Sequence, residues 1–99
     1  MEYYVIGDDD TVLGFSLVGL SGSAVSSESE ARSAWEKVLE NRNYGIIIIT
    51  EGAADLIRST VDRYLFSENF PLVVEIPSSG QKSKRDLRTL VNEAIGVGL

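Results

Sequence analysis

The sequence predicts a single α/β domain, with an open sheet of four parallel strands, helices on both faces of the sheet and a C-terminal helix. Short apolar runs alternate with stretches of helical periodicity along the chain, which is the order expected of repeated strand–helix units. Residues 46–49 are four consecutive isoleucines, typical of a central parallel strand that is covered on both faces. Because 99 residues leave room for one hydrophobic core, we expect one domain over residues 1–99.

The first strand–helix unit begins at the N-terminus. Residues 3–6 (YYVI) are aromatic and β-branched, and they predict a strand that ends at Gly7. Residues 10–19 follow as a helix whose apolar side chains point all round the axis, at Val12, Leu13, Phe15, Leu17 and Val18. A helix that is apolar on every side is usually enclosed by protein, so we expect this one to be largely buried.

The second unit joins a weak strand to the best-specified helix. Residues 23–27 (SAVSS) are rich in serine and poor in branched apolar side chains, so we place this strand at an edge of the sheet. Ser27 and Glu30 have the spacing of a capping box, which marks a helix start. The following residues recur at helical spacing and predict a core-facing stripe of Ala31, Ala34, Trp35, Val38 and Leu39.

The third unit starts with the central strand, residues 45–50. A helix is expected over residues 51–65, with an inward stripe of Ala54, Ile57, Val61, Tyr64 and Leu65. The last strand lies within residues 70–77 (FPLVVEIP), between Pro71 and Pro77, where a missing N–H is tolerated.

The C-terminal segment, residues 81–99, differs in charge from the body, residues 1–80. Residues 1–81 hold thirteen acidic and five basic side chains, whereas residues 82–99 hold two acidic and four basic ones. Ser83 and Asp86 resemble a second capping box, and a narrow stripe follows at Leu87, Leu90, Val91, Ala94 and Ile95. Two interpretations stay open. The helix packs on the core with its basic side in water, or it docks along a partner helix whose acidic residues meet Lys82, Lys84, Arg85 and Arg88.

Absent residue types exclude several kinds of chemistry. The chain has no cysteine and no histidine, and therefore no disulfide, thiolate nucleophile, imidazole base or usual zinc ligand. Its net charge of −6 repels phosphate backbones, so we expect no nucleic-acid partner. No apolar stretch approaches the roughly 20 residues that cross a bilayer, and the N-terminus does not have the pattern of a signal peptide. We expect a cytoplasmic protein without direct membrane insertion.

Three consecutive carboxylates, Asp8 to Asp10, follow the first strand, at the edge of the sheet where parallel folds bind ligands. Phosphoryl-accepting receiver domains also have acidic residues here, but they need an aspartate after the third strand and a lysine after a fifth. This chain has Thr50 and Glu51 after the third strand and no fifth strand. Anionic side chains at a helix N-terminus satisfy its unpaired N–H groups and its dipole, so helix capping is the favoured interpretation.

Four ordered stretches resemble a known family. They are residues 5–19 (VIGDDDTVLGFSLVG), 45–58 (GIIIITEGAADLIR), 71–80 (PLVVEIPSSG) and 87–99 (LRTLVNEAIGVGL). The chain resembles the F subunit of the archaeal and vacuolar-type (A/V-type) rotary ATPases, and the resemblance covers essentially its whole length. The resemblance implies a Rossmann-like fold without catalytic, cofactor-binding or metal-binding residues of its own.

The resemblance also implies partners. Family members bind the coiled-coil D subunit in the central stalk, or rotor, and help to couple ion translocation to ATP turnover in the catalytic A and B subunits. Their C-terminal segment lies against the body or extends toward the A and B subunits. The chain would then be cytoplasmic and peripheral to the membrane. We expect partner contacts at Ala24 and Val25 of the edge strand and at Lys84, Arg85, Arg88, Leu90, Val91 and Ile95 of the C-terminal segment. The alternative is a degenerate receiver-like domain that binds magnesium or a phosphorylated ligand at Asp8 to Asp10.

Overall fold

The computed structural model describes residues 2–78. Four strands and four helices follow one another along the chain: β1 (Glu2–Gly7), α1 (Asp9–Ser16), β2 (Ser21–Ala24), α2 (Glu28–Glu40), β3 (Tyr44–Thr50), α3 (Glu51–Leu56), α4 (Arg58–Ser67) and β4 (Leu72–Ile76). The strands form one parallel sheet in the order β2-β1-β3-β4. This confirms the predicted α/β fold with four parallel strands. The predicted C-terminal helix lies outside the described residues.

The two faces of the sheet are covered to different extents. We call one the closed face, where Ile6, Ile47 and Ile49 are fully buried in a core with residues of α2, α3 and α4. We call the other the open face, where α1 packs over β1 and β2. The side chains beyond α1 on the open face are Tyr3, Ile46, Ile48, Leu72 and Val74, and all five keep some exposure to solvent. The central strand is therefore fully covered on one face and half-covered on the other, in contrast to the expectation.

Helix α2 begins and packs as its sequence predicts. The Ser27 hydroxyl accepts a hydrogen bond from the Glu30 N–H at 3.2 Å, and the Glu30 carboxylate accepts one from the Ser26 N–H at 2.8 Å. These bonds satisfy backbone donors that a helix start leaves unpaired. Four residues of the predicted stripe are buried in the closed-face core, and the fifth, Leu39, packs against it.

The predicted third helix is two helices, because Ile57 leaves the helical conformation at φ −134° and ψ 42°. The change in direction lets both segments reach the core, α3 through Ala53 and Ala54 and α4 through Val61. Ile57 itself is buried between them. Leu65 was expected to face inward but is about half exposed, since α4 turns this position away from the core.

The prediction that α1 is largely buried is wrong, because none of its residues is buried. Leu13 and Leu17 are 61% and 79% exposed, and Val18 just beyond the helix is 72% exposed. The helix rests on the sheet through one side only, with Val12 beside Gly22 of β2. The outer apolar side of α1 is therefore a surface that the other residues of the range 2–78 do not cover.

Strand β2 lies at the edge of the sheet as expected, but it begins two residues earlier and ends three residues earlier than predicted. Its pairing with β1 runs from Tyr4 opposite Ser21 to Gly7 opposite Ala24. Val25 follows with one further backbone hydrogen bond to Gly7, and Ser27 is used as the cap of α2. Because Ser27 caps α2, strand β2 does not extend to residue 27 as predicted.

Candidate interaction surface

The carboxyl edge of the sheet carries the three aspartates, and the first of them caps a helix. The Asp8 carboxylate accepts hydrogen bonds from the Thr11 N–H at 3.1 Å and from the Thr11 hydroxyl at 2.8 Å. Asp9 and Asp10 occupy the first turn of α1, where negative charge favours the helix dipole. This confirms the capping interpretation.

The neighbouring helix start at this edge is satisfied by the chain's own hydroxyl groups. Thr50, which is almost fully buried, accepts a hydrogen bond from the Ala53 N–H at 3.2 Å. Ser78, just after β4, accepts one from the Gly52 N–H at 2.7 Å. These N–H groups would otherwise be the natural donors to a phosphate, and no group of three or more acidic residues in residues 2–78 has the geometry of a metal site. The receiver-like alternative gains no support.

The edge beside β2 is the clearest candidate for contact with a partner. Strand β2 and residue Val25 border a shallow groove of about 450 Å³, whose far wall is formed by residues 29–37 of α2. The groove is lined by Ser23, Ala24, Val25, Ser29, Glu30, Ser33, Ala34 and Lys37. Ala24 is exposed and Val25 is half-buried, so the structure brings the two predicted contact residues together at one rim. The other six predicted residues, 84 and beyond, lie outside the described residues.

Small side chains make this edge approachable. Residues 21–27 contain no charged residue and no proline, the two features by which natural proteins commonly protect an edge strand. The Tyr4 and Ser23 hydroxyl groups are hydrogen-bonded to each other, which fastens β2 to β1 from the closed-face side. The edge is therefore held in place while its outer side stays open to a partner backbone or helix.

Electrostatic interactions brace the opposite end of the sheet. Arg58 at the start of α4 binds Glu75 of β4 through two bonds of 2.9 Å and also pairs with Asp55. The hydrogen bonds from Arg58 to Glu75 and then to Asp55 raise the pKa of the guanidinium above its usual range. Arg58 and Glu75 each remain about one-third exposed, so the network joins α4 to β4 without forming a buried site.

Tyr64 of α4 contacts both the residue before β4 and helix α2. Its hydroxyl donates to the Pro71 carbonyl at 2.7 Å, and its ring meets Trp35 edge to face at a centroid distance of 5.3 Å. Burial, together with the nearby Glu68 carboxylate, raises the pKa of Tyr64. Trp35 is 2% exposed, which places it in the core as the α2 stripe predicts.

Comparisons with known proteins decide which family this domain represents. The sequence model for the family described as ATP synthase (F/14-kDa) subunit matches residues 4–93. The chain belongs to this family of ATP synthase (F/14-kDa) subunits. As a member, it is an accessory subunit of an ATP synthase and is not catalytic by itself.

Relatives from this family resemble the chain over most of its length. The F subunit of the A-type ATP synthase of Pyrococcus furiosus is 38% identical over 106 aligned positions, which cover 100% of this chain and 98% of that protein. The F subunit of the V-type ATP synthase of Fusobacterium nucleatum is 41% identical over an alignment that covers 76% of this chain and 70% of that protein. The crystal structure of the F subunit of the V-type ATP synthase of Archaeoglobus fulgidus superposes with a TM-score of 0.57 at 28% identity, covering 80% of this chain and 96% of that one.

Sequence reasoning missed two exposed apolar surfaces of this domain. One is the outer side of α1, and the other is the end of α4, where Phe66 is 93% exposed. Phe70 lies in the following loop, with the Arg42 guanidinium 5.7 Å from its ring centre. Apolar periodicity showed that α1 was apolar but not that it lies at the surface, and no local pattern marks Phe66 as exposed.

Proposed function

We propose that this chain is a non-catalytic central-stalk (rotor) subunit of an A/V-type ATP synthase or ATPase. In this role it binds the coiled-coil D subunit and helps to couple ion translocation to ATP hydrolysis or synthesis. Membership of the family of F subunits supports the assignment to the complex. Transmission of torque needs a rigid body and a partner surface, and the parallel sheet with its closed-face core supplies the rigid body.

The observation that carries the proposal is the open edge at β2. A helix of a coiled coil approaches another element closely only where the opposing side chains are small. The rim at Ala24 and Val25 and the serines of α2 provide such a surface beside a groove. Glu30 and Lys37 line the same groove and offer one charge of each sign for orienting the partner.

The C-terminal segment supplies the second part of the proposed interface. Lys84, Arg85 and Arg88 would meet acidic residues of a partner, and Leu90, Val91 and Ile95 would pack on its apolar side. We assign this segment to contacts with D and, when it extends, with the catalytic A and B subunits. No helix within residues 2–78 is both long and apolar enough to span a bilayer, in keeping with a role peripheral to the membrane.

Co-expression with the D subunit of the same genome tests the proposal, with complex mass measured by size-exclusion chromatography and light scattering. The full chain is compared with Ala24→Arg, which places a long charged side chain on the rim of the groove. Ser59→Arg is the matched control, since Ser59 is exposed on α4 and does not line the groove. A triple charge reversal at Lys84, Arg85 and Arg88 tests the C-terminal segment.

The expected result is a one-to-one complex that Ala24→Arg and the triple reversal weaken and Ser59→Arg leaves intact. Truncating or blocking a central contact typically weakens binding by about 1–2 kcal/mol or more, which is at least about fivefold in Kd. Elution of the chain alone in the presence of a folded D subunit would refute the rotor assignment. Equal weakening by both arginine variants would refute the β2 edge as the interface.

A further inference from the structure

The two edge strands of the sheet differ in how they are protected against pairing with another chain. Strand β4 lies between Pro71 and Pro77 and carries the charged residue Glu75. Strand β2 has neither feature, since residues 21–27 contain no proline and no charged residue. Natural proteins use prolines and charges to keep the edges of sheets apart, so β2 is the edge at which this sheet can be extended.

The backbone of β2 has hydrogen-bonding groups on its outer side. The Val25 N–H, just after the strand, donates to the Gly7 carbonyl of β1 at 2.9 Å. Because successive residues of a strand direct their N–H and C=O groups to opposite sides, Ser23 also faces β1. Gly22 and Ala24 therefore point these groups away from β1. No strand lies beyond β2 in the order β2-β1-β3-β4, so the four outward groups have no strand partner in the described part of the chain.

We propose that this edge pairs with the same edge of a second copy of the chain, antiparallel about a two-fold axis, so that the four-stranded sheet is doubled. An axis that passes beside Ser23 sets Gly22 opposite Ala24 of the second copy, and Ala24 opposite its Gly22. The two residues of each such pair exchange both of their hydrogen bonds, which satisfies every outward group of both copies. Residues 21–27 are uncharged, so no like charges oppose each other across the junction.

The second copy also accounts for the exposed apolar side of α1. Helix α1 packs over β1 and β2, with Val12 beside Gly22 of the edge strand. In the doubled sheet, two helices that each lie between the first two strands are two strand spacings apart, which is about 10 Å. Packed helices lie about 8–10 Å apart, so the two copies of α1 come into contact. This contact offers cover to Leu13 and Leu17, which are 61% and 79% exposed in the single chain.

The expected dimer is weak and is strengthened by salt. One short strand and one helix side make an interface at the small end of the range for specific complexes, so we expect a Kd of about 10–100 µM. Each copy has a net charge of −6, and salt screens the repulsion between the copies. The junction uses the edge that we assign to the D subunit, so the two contacts exclude each other. The pairing itself concerns the isolated chain and does not rest on that assignment.

Sedimentation equilibrium of the full chain measures the dimer, at concentrations from about tenfold below to about tenfold above this Kd. A single cysteine then locates the axis. The chain has no cysteine, so Ser23→Cys introduces a unique thiol. Residues that face each other at the axis have Cα atoms about 4.5 Å apart, which is within the range for a disulfide. Ser21→Cys is the matched control, because Ser21 is on the same strand and face but about 13 Å from its copy.

The full chain is expected to change from monomer to dimer over this range of concentration. Oxidised glutathione should link Ser23→Cys into a covalent dimer at least about tenfold faster than Ser21→Cys. Leu13→Glu, which puts a charge between the two copies of α1, should raise the Kd at least about tenfold. Phe66→Glu should leave the Kd unchanged, although Phe66 is the more exposed residue, because α4 lies away from the junction.

Three results would overturn the inference. One is a monomer mass over the whole range of concentration. The second is cross-linking of the two cysteine variants at equal rates, and the third is an equal loss of dimer in Leu13→Glu and Phe66→Glu. The cysteine and glutamate pairs test different elements, so either pair decides the outcome if circular dichroism shows that a member of the other is unfolded.

Addition of the folded D subunit separates this inference from the proposed function. The D subunit should convert the dimer into a one-to-one complex, and this expectation alone rests on the proposed function. A cross-linked Ser23→Cys dimer should then bind D at least about tenfold more weakly than the reduced protein does. Equal binding of D to the cross-linked and reduced forms would refute the D contact at the β2 edge, while the cross-link itself would support the pairing.

Discussion

The closed and open faces of the sheet have the same strands but differ in what covers them. On the closed face, α2, α3 and α4 enclose Ile6, Ile47 and Ile49 in a core built from the described part of the chain. On the open face, α1 packs mainly on β1 and β2, and Leu72 and Val74 of β4 are exposed to solvent. The comparison indicates that, within residues 2–78, the closed face holds the core of the domain and the open face is only partly covered.

The largest expected contrast is between buried and exposed apolar residues of the two helical layers. Trp35→Ala in α2 removes a side chain that is almost fully buried against Tyr64, so we expect a loss of about 3–5 kcal/mol in the free energy of unfolding. Leu13→Ala on the exposed side of α1 is expected to change it by less than about 0.5 kcal/mol. Urea denaturation measures both, and a loss at Leu13 comparable with that at Trp35 would show that α1 is covered.

Two glycines test how closely α1 packs on the open face. A Cβ at Gly22 would lie 2.7 Å from the Val5 carbonyl oxygen and 3.2 Å from Val12, so Gly22→Ala must push α1 or β1 away. We expect it to destabilise the domain by about 1–3 kcal/mol. Gly14→Ala meets nothing within 4 Å and should stabilise α1 by up to about 1 kcal/mol. Thermal unfolding measures the stability of both variants. If Gly22→Ala and Gly14→Ala both stabilised or both destabilised the domain, the result would contradict this packing.

At the rim of the closed face, Tyr64→Phe tests a hydrogen bond and a pH dependence. Loss of the bond to Pro71 is expected to reduce stability by about 0.5–1.5 kcal/mol at neutral pH. The pKa of Tyr64 is raised by burial, so the folded state favours the neutral phenol. The neutral phenol contributes its full stabilisation below about pH 10, the pKa of tyrosine in the unfolded chain. This stabilisation is lost as the pH rises through the higher pKa of Tyr64 in the folded state. The unmodified chain should therefore lose more stability above about pH 10 than Tyr64→Phe does, and parallel alkaline profiles would contradict the assignment.

The smallest effect is expected at the Arg58 network. Glu75→Gln removes the carboxylate that Arg58 binds at 2.9 Å, but both groups are about one-third exposed. We expect a loss of about 0.2–1 kcal/mol that falls as salt is added. The control is Glu28→Gln, whose partner Arg32 lies one turn away on the same helix and is more exposed. A salt-independent loss at Glu75 would indicate a packing role instead of an ionic one.

Local signals predicted the closed face well. The start of α2 depends on Ser27 and Glu30, and its stripe depends on helical spacing, so both are readable within a few neighbouring residues. The central position of β3 followed from its isoleucines alone. The break between α3 and α4 at Ile57 could not be predicted, since no glycine or proline lies there. It arises because both helices pack on the core.

Non-local features of the interaction surface were harder to predict. The polar composition of β2 correctly indicated an edge, but its bounds depend on pairing with β1 and on the use of Ser27 as a cap. The exposure of α1 depends on which elements lie beside it, and an apolar pattern does not contain that information. The partner role of Ala24 and Val25 remains a prediction that rests on their place at the rim.

The central claim is that this chain works by docking, with a rigid closed face and a partner surface at the β2 edge. Hydrogen exchange of the full chain with and without its D subunit tests it most directly. The account predicts slower exchange on binding in residues 21–27 and in the C-terminal segment, with little change in α4. Slower exchange confined to α4 and the Phe66 loop, or no difference between the free and mixed samples, would contradict it.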